Sequence, residues 1–218
     1  MKWRILAGII LAAALGWSGW WFVGSQLKQS ALEGWLAERR ADGWVAEAES
    51  IAVSGFPNRF DTRVTGLHLA DPGQGWAWET PFMDILMLAY QPNAAIVALP
   101  GNQQIAVPGA RTILDAETLR GSVRFVPGPS LELAALSVEA DALSLRDARA
   151  AAPAVLGAAD RLALHLRDLE DGAAPENGYA LYAEARSVRL PAALREIVDP
   201  TGALAPVADS LEIDGRLA

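Results

Sequence analysis

The chain has 218 residues, a formal net charge of −8 and no cysteine, which excludes disulfides, thiolate metal sites and cysteine nucleophiles. Apart from Lys2 and Arg4, 26 acidic residues stand against 16 basic ones. Because such an acidic surface repels phosphate backbones, the composition predicts a protein that does not bind nucleic acid.

The N-terminus carries 19 consecutive uncharged, mostly apolar residues, 5–23. As a helix this stretch would be about 28 Å long, close to the roughly 30 Å hydrocarbon core of a bilayer. The flanking tryptophans fit the interfacial belts of a spanning helix; they are Trp3, Trp17, Trp20 and Trp21. We interpret residues 1–24 as a single-pass anchor that contacts the lipid bilayer through residues 5–23. The alternative is a cleaved signal peptide, with Ala14-Leu15-Gly16 as a weak cleavage site.

The charges that flank this stretch predict its orientation. Lys2 and Arg4 favour a cytoplasmic N-terminus, an inner-membrane location and a periplasmic C-terminal domain. Arg39 and Arg40 lie beyond the stretch and weakly favour the opposite orientation.

Residues 25–43 predict an amphipathic helix that ends near Gly43. Its apolar stripe consists of Leu27, Ala31, Leu32, Trp35 and Leu36. The stripe could pack on the following domain or lie along the outer leaflet. We favour packing, because the polar side of the helix is not basic, as a membrane-surface helix usually requires.

From Trp44 onward, alternating apolar and polar residues indicate strands. Residues 44–218 therefore predict one β-rich domain, and the fold class is mainly β: a curved antiparallel meander after the N-terminal helices. The predicted strands are centred on residues 51–53, 60–67, 76–78, 85–90, 94–99, 105–107, 123–125, 131–145, 162–166, 179–190 and 211–217. The alternation slips at Ala142–Leu143, which indicates a bulge or turn. A short helix is predicted at 191–197 and a loop at 171–178, while 148–159 stay unassigned.

No motif in the chain predicts catalysis. There is no nucleophile elbow, phosphate loop or His-Glu-x-x-His, and the two histidines, His68 and His165, are far apart in sequence. We therefore predict no catalytic, cofactor-binding or metal site, and a protein that is not an enzyme. His68 with Asp71 is a weak alternative, as part of a triad. Trp76 and Trp78 share one side of a strand and are a hypothetical interaction face, with core packing as the alternative.

The segment 54–61, Ser-Gly-Phe-Pro-Asn-Arg-Phe-Asp, is the most specific string in the sequence. A glycine permits a tight bend and a proline fixes φ, so one strand ends here and its partner starts. The two phenylalanines can anchor the bend in the core, and Arg59 and Asp61, two apart, can pair on one side. The predicted structural motif consists of Gly55, Phe56, Pro57, Arg59, Phe60 and Asp61.

Together with the N-terminal span and the segment from Trp35 to Trp44, this string resembles the uncharacterised alphaproteobacterial family of domain of unknown function 2125 (DUF2125), whose members are membrane-anchored. Asn58 stands where that family has a larger, more apolar residue. The resemblance is good over residues 1–70 and diffuse afterwards. Because family members are usually longer, it implies that a C-terminal part is missing here. By analogy of fold, the family's anchored β architecture is also similar to that of AsmA-like envelope proteins, which have an apolar trough associated with lipid movement.

These observations lead to the hypothesis of an inner-membrane-anchored periplasmic β-protein that binds or conducts lipid by burying acyl chains. The predicted lining is Ile85, Leu86, Leu88, Ile96, Val97 and Leu99. The alternative is a structural or assembly module that binds another envelope protein through a sheet edge or the Trp76–Trp78 face. A hydrolase acting on envelope polymers has the least support.

Overall fold

The architecture was determined from a computed structural model, which describes residues 2–128, 132–149, 154–169, 178–203, 205 and 207–217. The described chain contains two helices, α1 (Lys2–Ala41) and α2 (Ala192–Val198). It also contains twelve strands: β1 (Val45–Glu47), β2 (Ser50–Ser54), β3 (Asp61–Asp71), β4 (Trp76–Leu88), β5 (Gln91–Leu99), β6 (Asn102–Val107), β7 (Ala110–Asp115), β8 (Thr118–Phe125), β9 (Leu133–Asp147), β10 (Val155–Asp168), β11 (Tyr179–Val188) and β12 (Ala208–Leu217).

The anchor and the amphipathic segment form one continuous helix, α1, of 40 residues. Gly24 does not interrupt it, because an isolated glycine costs a helix only about 1 kcal/mol relative to alanine. The helix ends at Ala41, and Gly43, whose φ is +88°, terminates it just beyond, as predicted. Within the described residues, α1 is the helix long and apolar enough to cross a membrane, and almost none of its most apolar window is buried.

All twelve strands belong to one antiparallel sheet, which confirms the predicted mainly β meander. In three places two consecutive strands occupy one position in the sheet, because both pair with the same neighbouring strand. These are β1 and β2 along β3, β5 and β6 along β4, and β7 and β8 along β9. The sheet therefore has nine positions, and these positions follow one another in chain order.

Several predicted strand boundaries were wrong. The segments predicted separately at 76–78 and 85–90 belong to the single strand β4, and 91–93 start β5 instead of forming a turn. The turn lies at Ala89 and Tyr90. Two strands, β1 and β7, were not predicted, and β10 begins inside the unassigned stretch. Most of the predicted 171–178 loop lies outside the described residues.

A line of irregular residues, which we call the seam, crosses the sheet. In the β3–β4 ladder the register passes from Thr65–Phe82 to Leu67–Thr80. Positive φ angles mark the seam at Gly66 (+57°), Ala142 (+50°) and Ser187 (+52°). The predicted slip at Ala142 is thus confirmed, and it is one part of a feature that crosses many strands.

The seam changes the alternation of each strand that it crosses. In β3 the buried side chains are Thr62 and Val64 before the seam and Leu67 and Leu69 after it. An extra residue in a strand moves later side chains to the opposite face, so the slip must occur in neighbouring strands together. The sheet therefore keeps one apolar face on both sides of the seam.

The main core lies between the C-terminal half of α1 and the first strands. Leu36 of α1 packs with the buried cluster of Ala46, Val64, Leu67 and Leu69. A cavity of about 230 Å³ remains between helix and sheet. Its lining is Leu32, Trp35, Leu36, Ile51, Val64, Leu67, Leu69, Trp78 and Met83. The predicted stripe of the second helix thus packs on the domain through Leu32, Trp35 and Leu36.

Candidate functional site

The turn between β2 and β3 docks on α1 and is the first of two candidate functional regions. Gly55 makes the bend with φ +98°, and a Cβ there would lie 2.8 Å from Arg59 Cβ. Only glycine meets both conditions without strain, which explains its place in the motif. The Phe56–Pro57 peptide bond is cis.

Three side chains of α1 donate hydrogen bonds to carbonyls of this turn. The bonds are Trp17 Nε1 to Pro57 O (2.9 Å), Trp21 Nε1 to Arg59 O (2.7 Å) and Lys28 Nζ to Phe60 O (3.0 Å). Burial lowers the pKa of Lys28, and the nearby Asp61 carboxylate opposes that effect. The helix thus binds the turn through polar contacts over three helical turns.

Aromatic packing completes this junction. Phe60 is buried, with ring centroids 5.6 Å from Trp20 and 5.7 Å from Trp21. Gly24 lets Phe60 approach, because a Cβ at Gly24 would lie 2.8 Å from the Phe60 ring. Phe56 contacts the rings of Trp21 and Phe22, yet half of its surface stays exposed.

Arg59 and Asp61 pair as their spacing predicts, with Arg59 Nε 2.9 Å from Asp61 Oδ2. Both side chains are partly exposed, so the pair contributes little stability. The predicted motif is therefore a docking element: the phenylalanines and three backbone carbonyls contact α1, while the ion pair neutralises its two charges.

The second candidate region is an apolar surface on the helix side of the sheet. Residues paired directly across an antiparallel ladder share a face, so the register shows to which face of the sheet each side chain points. Three cross-strand rows, the apolar rows, run from β5 to β12 on the side of the seam nearest the β2–β3 turn. They are Ala95-Val123-Leu136-Leu166-Leu181-Gly215, Val97-Gly121-Val138-Leu164-Ala183-Ile213 and Leu99-Leu119-Ala140-Leu162-Ala185-Leu211.

The apolar rows lie beyond the part of the sheet on which α1 packs. The helix contacts β1 and β2, and its side chains reach β3 and β4. From β8 to β12, Ala140 is the buried member of the rows, and the others are half-buried or exposed. Ile213 is 49% exposed. The described chain therefore leaves these rows largely open to their surroundings.

The opposite face of the sheet is polar and carries cross-strand ion pairs. Arg63 Nη2 lies 2.6 Å from Asp84 Oδ2, and Arg120 Nη2 lies 2.6 Å from Glu139 Oε2. Hydrogen bonds from these guanidinium groups lower the pKa of Asp84 and of Glu139. The sheet is thus two-faced, with one apolar side and one charged side.

The six predicted lining residues do not share a face. Ile85 pairs with Val97, and Leu99 follows Val97 by two positions, so these three lie on the apolar side. Leu86 pairs with Ile96 on the polar side, where both contribute to a groove together with Leu88. The six residues therefore cannot line one face of the sheet together, because adjacent residues of a strand point to opposite faces. A lipid-lining role for them stays a prediction.

Trp76 and Trp78 share the apolar side and are half-buried against the core cluster. The Trp76 ring lies 5.1 Å from that of Trp44, and Trp78 Nε1 donates to Gln103 Oε1 (2.8 Å). These contacts correspond to the core-packing alternative. A partner-binding role for the pair stays a prediction.

The histidines form no catalytic triad in the described residues. His68 Nε2 lies 3.6 Å from Glu79 Oε1 on the polar face. Asp71, three residues later in the same strand, is buried on the apolar side and accepts hydrogen bonds from the backbone N–H groups of its own turn. The two side chains therefore point to opposite faces, and the proposed His68–Asp71 pairing is wrong.

His165 has a contact that sequence reasoning missed, because its partner lies on another strand. Its Nδ1 is 3.0 Å from Ser137 Oγ, and its ring stacks on Tyr182. The two residues lie on β9 and β10, which pair on both sides, so nearby backbone N–H groups are engaged in ladders.

No group of three or more metal-ligating side chains occurs in the described ranges. The sequence did not predict the contacts between α1 and the β2–β3 turn, because their partners are far apart in the chain. Trp17 and Pro57 are 40 residues apart, and local patterns carry no signal for such a contact.

One comparison with known proteins gives a result. The family model described as "Uncharacterized protein conserved in bacteria (DUF2125)" matches residues 20–218. The match confirms the resemblance to this family from residue 20 onward and extends it well beyond residue 70, where the sequence had left it diffuse. No curated protein and no solved structure matches the chain.

Proposed function

Since the chain belongs to the DUF2125 family, whose description assigns no activity, we propose a function from geometry: a membrane-anchored, non-catalytic β-protein that receives acyl chains on its apolar rows. We place it in the inner membrane, with the sheet in the periplasm. The observation that carries the proposal is the apolar surface left open on β8–β12, beside an N-terminal helix long and apolar enough to cross a membrane.

Two physical arguments support this proposal. A contiguous apolar surface that stays partly exposed is uncommon on soluble monomers and usually marks a binding surface. Burying apolar surface contributes about 25 cal/mol per Å², so an acyl chain can be captured without any catalytic group.

The position of the rows supplies a route from the bilayer. They lie on the side of the seam that also holds the β2–β3 turn, and that turn docks on α1 at Trp17 and Trp21. The buried cluster of Trp21, Phe60 and Ala89, with Met87 packed against it, extends the apolar surface from the helix into the sheet. A lipid tail leaving the bilayer beside α1 would therefore enter on the side of the sheet where the apolar rows begin.

The experiment is photo-cross-linking of the full chain in nanodiscs that contain a phospholipid with a diazirine near the end of one acyl chain. We expect cross-linked peptides from β8 to β12 as well as from α1. Cross-links confined to α1 would contradict the proposal.

A matched pair of variants tests the face. Val123 and Ser122 are neighbours in β8, with Val123 in the apolar rows and Ser122 on the polar side. Val123→Asp should abolish cross-linking on the sheet, whereas Ser122→Asp should leave it unchanged. Equal effects of the two variants would show that the apolar rows are not the binding surface.

A second candidate function, the assembly module, is favoured by one observation. Within the described residues, β12 pairs only with β11, so one edge of this ten-residue strand has no strand beside it. Such an edge can template the strand of another protein. A photo-cross-linking amino acid at Asp214 that captures one stoichiometric envelope protein in cells would favour this candidate over lipid binding.

A further inference from the structure

The β2–β3 turn has an unusual backbone: five of its carbonyls accept hydrogen bonds. Three donors come from α1, as described above, at the carbonyls of residues 57, 59 and 60. The other two bonds are Ala89 N to Asn58 O (2.8 Å) and Arg59 N to Gly55 O (2.9 Å). These bonds lower the cost of bringing the five carbonyls close to a bilayer, since lipid tails offer no hydrogen bonds.

Large aromatic side chains are exposed at this same end of the molecule. Phe56 is 50% exposed, Trp20 is 48% exposed and Tyr90, in the adjoining β4–β5 turn, is 67% exposed. The two turns are joined, because Ala89 N donates to Asn58 O and Phe60 N donates to Met87 O. Exposed aromatic residues are typical of the boundary between lipid headgroups and tails.

The helix fixes the height of this surface relative to a bilayer. The Phe56 ring lies 5.4 Å from the ring of Trp21 and 5.8 Å from that of Phe22. Those helix residues follow the midpoint of the 5–23 stretch by about 11 Å at 1.5 Å rise per residue, against a half-thickness of about 15 Å for the hydrocarbon core. Phe56 would therefore lie at or just inside the boundary.

We infer that the exposed part of the β2–β3 turn, with Phe56 at its tip and Tyr90 beside it, is a membrane-seating surface that enters the headgroup–tail boundary of the leaflet next to the sheet domain. The inference deepens the proposed function and rests on its membrane anchor. The occupant of the surface is the lipid bilayer itself, because the same helix that crosses the bilayer holds the turn.

The seating surface gives the sheet a fixed orientation. Its hydrogen bonds to α1 reach from Trp17 to Lys28, so no free linker separates the helix from the sheet. The charges here are balanced by the Arg59–Asp61 pair. Entry into the boundary therefore exposes no isolated charge of this pair to lipid.

The cysteine-free chain allows a depth measurement with single labels. Four variants of the full chain would carry the fluorophore NBD: Phe56→Cys and Tyr90→Cys in the seating surface, Gln74→Cys in the exposed β3–β4 turn at the other end of the strands, and Ala13→Cys near the middle of the 5–23 stretch. Each is reconstituted in phosphatidylcholine vesicles with nitroxides placed either at the headgroup or deep in the acyl chain. Tyr90→Cys provides a second probe of the seating surface if Phe56→Cys unfolds the turn locally.

We expect shallow nitroxides to quench most of the emission at positions 56 and 90 and little at position 74, while deep nitroxides quench position 13. If position 13 is quenched but positions 56 and 90 behave like position 74, the seating surface is wrong and the anchor stands. If position 13 is not quenched, both the anchor and the seating surface are overturned. Quenching at position 90 alone, with Phe56→Cys unfolded, supports the inference.

Discussion

The apolar face of this sheet has two parts that share the alternation of apolar and polar residues. One part is covered by α1 and the other is not. Under α1, Val64 and Leu67 are buried at 3% and 4% exposure. Away from α1, Leu164 and its neighbours in the apolar rows are half-buried, and Ile213 is 49% exposed. Alternation therefore specifies the side of the sheet to which a residue points, whereas the cover over that side comes from a distant part of the chain.

Substituting leucine in each part should give the largest contrast. Leu67→Ala opens a cavity beneath α1 and should lower the free energy of unfolding by about 3 kcal/mol. Leu164→Ala removes a half-buried side chain and should cost about 1 kcal/mol. Denaturant titrations of the full chain in detergent, followed by circular dichroism, measure both values. Equal losses would mean that the uncovered part is in fact covered.

The seam allows a second contrast within the covered part. Gly66→Ala forces alanine into the left-handed region and places its Cβ 2.4 Å from Glu49 Cγ, so we expect a loss of about 2 kcal/mol. Gly109→Ala is the control, because Gly109 also has positive φ but no neighbouring atom within 4 Å. Its loss should be about 1 kcal/mol in the same titration. A control that loses more than Gly66→Ala would contradict the role of the Glu49 contact.

In the uncovered part, the seam predicts a change of opposite sign. Ala142 is exposed and has φ +50°, a conformation that glycine adopts without strain. Ala142→Gly should therefore stabilise the fold by about 0.5 kcal/mol after the entropy cost of glycine is subtracted. Ala140→Gly, at a buried position with ordinary geometry, should instead destabilise it. Destabilisation by both variants would show that the bend at Ala142 carries no strain.

Acid should produce the smallest effect, at the end of β9. Hydrogen bonds from the Arg149 side chain and backbone lower the pKa of Asp147 from 3.8 to about 2. Because the folded pKa is the lower one, the contribution of Asp147 to stability is present above pH 4 and is lost as pH falls toward 2. The pair is exposed, so solvent screening keeps this contribution small. Asp147→Asn should remove that part of the acid dependence, and an unchanged pH profile would exclude the pair as its source.

Local patterns predicted the features that depend on local geometry. The alternation gave the β meander, the glycine and proline of the 54–61 segment gave the bend, and the slip at Ala142 marked the seam. Ile85 and Leu86 point to opposite faces of the sheet because they are adjacent in one strand. Which face each one occupies depends on the register with β5, which the sequence does not specify. The docking of α1 depends on pairs such as Trp17 and Pro57, which no local pattern connects.

The seam also constrains which insertions and deletions the gene can tolerate. In β3 the two halves are held in compensated phase, so the loss of Gly66 would turn one half of the strand over and exchange Leu67 and Leu69 for His68 and Ala70 between the two faces. Length variation should therefore accumulate in the turns, and the strands should evolve by substitution at nearly constant length.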